Sequence, residues 1–226
     1  MLSFASKALS STPSTFSRCF AKALWHEPKP WTADDPRSER EKMEASDYYK
    51  PGDAELCQLR DRMRRATKNF NQNSSVDRPE EMKEFMRELF NKKELPENLF
   101  IEPPIYLDYG YNVTIGKDVF INWNVTMLDS TPINIGDETL IGPNVAIYTA
   151  MHPISGKARK GPEYSERVTI GKRCWIGGNA VICPGVTIGD NVTVAAGSVV
   201  TEDVPSNCIV GGVPAKVLKT LPPEDD

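Results

Sequence analysis

The chain has 226 residues, 27 Lys and Arg against 31 Asp and Glu, a formal net charge of −4 and a sequence pI near 5.4. An acidic chain with both signs interspersed offers no electrostatic footprint for nucleic acid, and no apolar run approaches the roughly 20 residues that cross a bilayer. Five widely spaced cysteines (Cys19, Cys57, Cys174, Cys183, Cys208) form no metal-binding or redox pair. They suit a reducing compartment, with all five read as ordinary thiols and a cytoplasmic location expected.

Met1 to His26 contain Lys7, Arg18 and Lys22, many Ser and Thr, and no acidic residue. That bias is similar to a mitochondrial transit peptide, with Arg18-Cys19-Phe20-Ala21 as a processing site, and equally fits a plain disordered tail. Residues 27–40 are rich in Pro, Trp and charge and read as a linker. Residues 41–98 read as a helical region. Leu56, Leu59, Met63, Ala66 and Phe70 recur at steps of three and four behind Asp53, a candidate cap. A second helix is expected after Asp77 and Pro79, with Met82, Phe85, Met86, Leu89 and Phe90 inward. Pro96 and the Pro103-Pro104 pair end helical structure before the next region.

From residue 99 to 219 another rhythm takes over. Ile115, Ile121 and Met127 lie six apart. Ile135, Ile141 and Ile147 resume the beat two residues out of step, and Ile170, Ile176, Ile182, Ile188, Val194 and Val200 carry it on. Glycine often follows, as in Ile115-Gly116, Ile141-Gly142 and Ile176-Gly177. Six is neither the helical 3.6 nor a strand's simple alternation. It fits a short strand plus a tight corner, one apolar residue pointing in and a small one turning. Three units make one coil of about 18 residues in a parallel β-helix, in which coils bury only each other's faces. An open end would expose apolar surface, which the helical region is placed to cover. Residues 220–226 read as a tail.

Three stretches resemble the sugar O-acetyltransferases of the hexapeptide-repeat superfamily, the galactoside, maltose and nodulation acetyltransferase group. They are Ile101-Glu102-Pro103-Pro104 with Asp108-Tyr109-Gly110-Tyr111-Asn112; Asn122 to Asp129 followed by Ile141 to Val145 and Thr149-Ala150-Met151-His152-Pro153; and Trp175 to Gly178 through Pro184 to Asp190 and Gly212-Val213-Pro214. The helical segment with Tyr48-Tyr49 and Arg60 is similar to that group's N-terminal region, so the likeness spans about 42–219. It implies an all-β, left-handed parallel β-helix with a small helical prelude. It also implies a homotrimer with sites between subunits, acetyl-coenzyme A as donor and a small hydroxyl compound as acceptor.

His152 is the only histidine outside the extension, at the point where the beat stops and a loop begins. Acetyl transfer to a hydroxyl requires that proton to leave as oxygen attacks, and neutral imidazole, with an unperturbed pKa of about 6.5, suits the task. Glu163, inside the beat-free stretch 153–169, matches a family acid that orients the histidine; a solvated loop charge is the alternative. Asn122 matches a family asparagine at the reacting hydroxyl, though a corner asparagine also has structural uses. Asp108, Asp129 and Arg60 match sugar-contacting positions. Ser130 replaces a second acid of the galactoside enzyme, and Lys50 stands where many relatives carry an acid. Trp175, Gly178, Ala196, Thr201, Lys216 and Lys219 match the donor side: Gly177 and Gly178 allow close approach, the Gly178 N–H is a candidate oxyanion donor, and the lysines reach phosphates as point charges. Glu202 stands where a lysine is usual, and Cys183 is read as a coil residue.

The reading is direct transfer in a ternary complex with no metal. An amine acceptor, a longer acyl donor and a non-catalytic structural solenoid remain as alternatives. A zinc hydratase on a similar coil is disfavoured, since such a site wants three histidines.

Overall fold

The structure, a computed structural model, describes Pro28, Thr32 and residues 34–223. The acid-free segment 1–26 lies outside the described residues, and with it the transit-peptide reading.

Among the described residues three helices precede the solenoid, not two: α1 (Glu39–Glu44), α2 (Ala54–Asn73) and α3 (Pro79–Phe90). The short α1 has too few residues to show a period. Its signal was the Ser38-x-x-Glu41 capping box, in which each side chain accepts from the other residue's backbone N–H. Asp53 caps α2 by accepting from the Glu55 and Leu56 N–H groups. The helical region therefore begins at Ser38, inside the stretch expected to be linker. Lys42 is buried against Glu39 at 2.8 Å, and the Arg40 guanidinium lies 4.6 Å over the Tyr111 ring. Deleting residues 1–33 is expected to leave the melting temperature unchanged. Deleting 1–40 removes the cap and strips the partner from a buried ammonium, a loss of about 1–3 kcal/mol. Equal melting curves for the two truncations would refute this boundary.

Strands then follow three to a coil. The first coil holds β1 (Phe100–Ile101), β2 (Ile105–Leu107) and β3 (Val113–Ile115); the second holds β4 (Phe120–Ile121), β5 (Val125–Leu128) and β6 (Ile133–Ile135). The third holds β7 (Leu140–Ile141) and β8 (Ala146–Tyr148), leaves through the hairpin β9 (Ala150–Met151) and β10 (Tyr164–Ser165), and returns at β11 (Val168–Ile170). Next come β12 (Trp175–Ile176), β13 (Val181–Ile182) and β14 (Thr187–Ile188), then β15 (Val192–Val194) and β16 (Val199–Val200). Finally β17 (Cys208–Gly212) turns back antiparallel as β18 (Ala215–Thr220), one residue beyond the expected end of the repeat.

The result is a parallel β-solenoid with three faces. Face 1 stacks β3, β6, β11 and β14; face 2 stacks β1, β4, β7, β12, β15 and β17, edged by β18; face 3 stacks β2, β5, β8, β13 and β16. All twelve residues on the six-residue beat are buried, none more than 8% exposed. Register places them in columns, Ile121 beside Ile141 beside Ile176 beside Val194 on face 2. The glycines at the corners answer to the neighbouring coil: a Cβ on Gly142 would stand 2.7 Å from the Gly178 nitrogen, and one on Gly177 2.6 Å from the Ala196 nitrogen. The space at Gly177 is thus taken by backbone, not kept open for a ligand.

The helices close the first coil, their Met63, Phe70, Met86 and Leu89 joining the solenoid core. Asn71 pairs with the free edge of β2 as a strand would, donating to the Ile105 carbonyl (2.8 Å) and accepting from its N–H (2.9 Å). Lys92 donates to the Val113 carbonyl on the edge of β3.

Candidate active site

Every departure from the six-residue beat falls at the corner between faces 3 and 1. The beat slips by two residues there between Met127 and Ile135, and the hairpin of 149–167 leaves there in the third coil. In later coils the same corner is tight, running from Ile182 to Ile188 without slip. Extra residues at one corner of a rigid stack form a shelf of loop residues, where functional groups are commonly placed. Asp108, His152 and Glu163 all lie on it, with Arg60 of α2 beside them.

The hairpin brings His152 and Glu163 together. β9 and β10 pair antiparallel, Met151 opposite Tyr164, so the flanking residues face one another. His152 Nδ1 stands 3.6 Å from Glu163 Oε2, with the imidazole 60% exposed and the carboxylate 18%. That is an ion-pair distance, longer than a hydrogen bond, as is common before substrate binds. The beat-free loop 153–169 does not stand clear of its own chain. Its tip from Ile154 to Gly161 is exposed, yet its base is clamped to residues preceding α2. Tyr49 and Glu163 exchange two backbone hydrogen bonds of 2.9 and 3.0 Å, and the Tyr164 ring meets Tyr48 edge-on at 5.2 Å.

Asp108 is half-buried; burial pushes its carboxyl up, against the pull of the Arg60 guanidinium. Arg60 is itself held in place. It donates to the Tyr109 hydroxyl and to the Pro51 carbonyl, so it is no free helix charge. Asp129 departs from its expected role. It is fully buried, and its oxygens accept from the N–H groups of Asp108 (3.0 Å), Tyr109 (2.9 Å) and Gly110 (2.7 Å). Burial nevertheless pushes this carboxyl up to about 7. It shapes the shelf by holding the 108–110 turn and has no surface left for an acceptor. Ser130 is buried beside it.

The remaining predicted residues lie elsewhere. Asn122 sits at the corner between faces 2 and 3, so within one chain face 3 separates it from His152. Its side-chain oxygen accepts from the Trp123 N–H at 2.8 Å, and its NH2 has no acceptor among the described residues. The left-handed turn at this corner is made by Asn124, Asn144 and Asn179 instead (φ 61°, 58° and 60°). Gly178 and Ala196 occupy the same corner in the fourth and fifth coils. The N–H groups of Gly177, Asn179 and Ala180 donate to carbonyls, whereas those of Gly178 and Ala196 find no acceptor among the described residues. Two such donors thus stack one coil apart. Trp175, 57% exposed, stands on the outer side of face 2 between Leu140 and Thr193. Lys216 and Lys219 lie on β18 at the edge of that face, with Lys216 3.2 Å from Glu202. Thr201 is not on this corner; it follows β16 toward the corner of faces 3 and 1, buried, its hydroxyl without a hydrogen-bond partner. Cys183 is a half-buried coil residue whose thiol burial pushes up, the wrong direction for a nucleophile. Among the described residues no group of three or more His, Cys, Asp or Glu side chains is placed to hold a metal.

Residues 112–149 and 167–202 match the hexapeptide repeat of succinyl-transferase, and residues 42–94 match the maltose acetyltransferase hexapeptide capping motif. The galactoside O-acetyltransferase of Escherichia coli K12 is 41% identical over 158 residues, 70% of this chain and 75% of its own. The chain belongs to the hexapeptide-repeat acetyltransferases. A solved maltose O-acetyltransferase from Clostridium difficile 630 superposes on this acetyltransferase with a TM-score of 0.80 at 40% identity, covering 84% of this chain and all of the other. A hexapeptide-repeat acetyltransferase from Vibrio cholerae, solved with acetyl-coenzyme A, has a TM-score of 0.75 at 40% identity over 83% of this chain and all of its own. The capping motif spans most of α1 to α3 and the turn that clamps Glu163, so the cap touches the candidate site as well as the solenoid end. Sequence reasoning passed over Tyr49 as a functional residue. Its signal was the Tyr48-Tyr49 pair, which carries no chemistry until the fold sets it against Glu163, 114 residues away.

Proposed function

We propose that the protein moves an acetyl group from acetyl-coenzyme A directly to a hydroxyl of a sugar or similar small molecule. The observation that carries this reading is the His152–Glu163 pair on the shelf of a solenoid acetyltransferase. With Nδ1 turned toward the carboxylate, Nε2 is left to take the acceptor's proton. The acceptor oxygen attacks the thioester carbonyl carbon, and the oxyanion is met by a backbone donor such as the Gly178 N–H. Collapse breaks the C–S bond, and coenzyme A leaves as a thiol once the imidazolium returns the proton. Glu163 stabilises the imidazolium in between.

His152 and the open N–H groups lie at different corners of one chain, so the reading requires a second copy to complete each site. Two outer faces suit such packing. Tyr106, Ala146, Val181 and Val199 line face 3, Phe100, Phe120, Leu140 and Trp175 line face 2, whereas face 1 presents Thr114, Asn134, Thr169 and Thr187. In this reading a closed ring of three copies, the number that the family resemblance implies, turns faces 2 and 3 inward, with Trp175 beside the donor's arm and the β18 lysines near its phosphates.

The test is coenzyme A release from acetyl-coenzyme A across a panel of sugars and other hydroxyl compounds, with intact-mass measurement after mixing enzyme and donor alone. Release that depends on a hydroxyl acceptor, an unmodified protein mass and full activity of Cys183→Ala are expected. An acetyl adduct on the protein that passes to acceptor would overturn direct transfer, and release only with amines would overturn the acceptor class.

A further inference from the structure

The Glu163 carboxylate has two oxygens, and they are shared between two partners. Oε2 faces His152, and Oε1 accepts from the Tyr49 hydroxyl at 2.6 Å. Tyr49 is fully buried, so it touches no substrate and its ring has no room to swing. Its backbone also exchanges two hydrogen bonds with Glu163, so main chain and side chain grip the same residue. Burial and the neighbouring carboxylate hold the phenol far above its ordinary range, which keeps it a donor at any working pH.

A carboxylate on a surface hairpin would otherwise sample several rotamers, since glutamate has three rotatable bonds. Pinning one oxygen leaves the other a single direction, toward His152. We infer that Tyr49 is a positioning residue for the reaction: its hydroxyl, supplied by the helical cap, fixes the Glu163 carboxylate so that the carboxylate can orient His152. This rests on the reading of His152 as base and Glu163 as its orienting acid. The physical scale is that of misplacing a catalytic partner by a fraction of an ångström.

The experiment is a double-mutant cycle of Tyr49→Phe and Glu163→Gln in the full chain, with kcat normalised to enzyme that still binds acetyl-coenzyme A. Phenylalanine keeps the ring in its slot and the backbone bonds intact, and a melting curve checks the fold. Tyr49→Phe is expected to lower kcat about 3- to 30-fold with KM for acetyl-coenzyme A unchanged. Added to Glu163→Gln it should cost less than about twofold more, because Tyr49 acts only through that carboxylate. Full activity of Tyr49→Phe beside an impaired Glu163→Gln would overturn the inference alone, as would effects that multiply in full. Full activity of Glu163→Gln would instead sink the reading on which it rests.

Discussion

Replacing His152 by alanine is expected to lower turnover by about 10²- to 10⁴-fold while leaving affinity for acetyl-coenzyme A unchanged, the range that loss of a positioned general base produces. The imidazole is 60% exposed at a hairpin base and buries little apolar area, so its loss costs the fold almost nothing. Glu163 cannot take over, because Oε1 is committed to Tyr49 and the carboxylate is only 18% exposed. What remains after the change is the rate that donor positioning and oxyanion stabilisation supply on their own. Titration calorimetry with acetyl-coenzyme A separates binding from chemistry. Wild-type turnover in purified His152→Ala protein would refute the mechanism.

The fold was legible because the beat reports a physical constraint at every sixth residue. A residue such as Ile141 must fill the interior under Ile121 and over Ile176, and nothing but an apolar side chain fits there. The beat also located the site, since its slips mark the one corner where the chain adds residues. With Ile121 on face 2 and Met127 on face 3, counting places Asn122 at the corner between them and His152 at the next. What the residues concealed were partners. Asp129 resembles a sugar ligand in one dimension, and only the fold turns three backbone N–H groups onto it. Gly177 resembles a ligand clearance, and only stacking shows the Ala196 nitrogen in that space. The helix α1 is too short for periodicity, and its capping box went unread. Tyr49 acts across 114 residues, beyond the reach of any local pattern.

The separation of corners gives a second large effect, visible only when chains are mixed. Alone, His152→Ala is expected to lack the base, and Asn122→Ala to lack the side-chain amide that meets the reacting hydroxyl, each with turnover reduced about 10²-fold or more. If each site combines His152 from one copy with Asn122 from its neighbour, a mixed ring holds one site with both residues intact. That site takes its histidine from the Asn122→Ala chain and its asparagine from the His152→Ala chain. Random assembly of equal amounts into closed trimers makes three quarters of the rings mixed, each with one intact site of three, so about a quarter of wild-type activity should return on co-expression. A chain carrying both changes, co-expressed with neither partner, should stay inactive and serves as the control. Recovery to about a quarter requires the shared site but does not report the number three, since any closed ring joins the two intact residues at about one junction in four; the mass of the assembly supplies the number. No recovery, in mixtures shown by mass to contain both chains in one assembly, would mean that His152 and Asn122 serve the same reaction from within one copy or not at all. It would overturn the proposed intersubunit site.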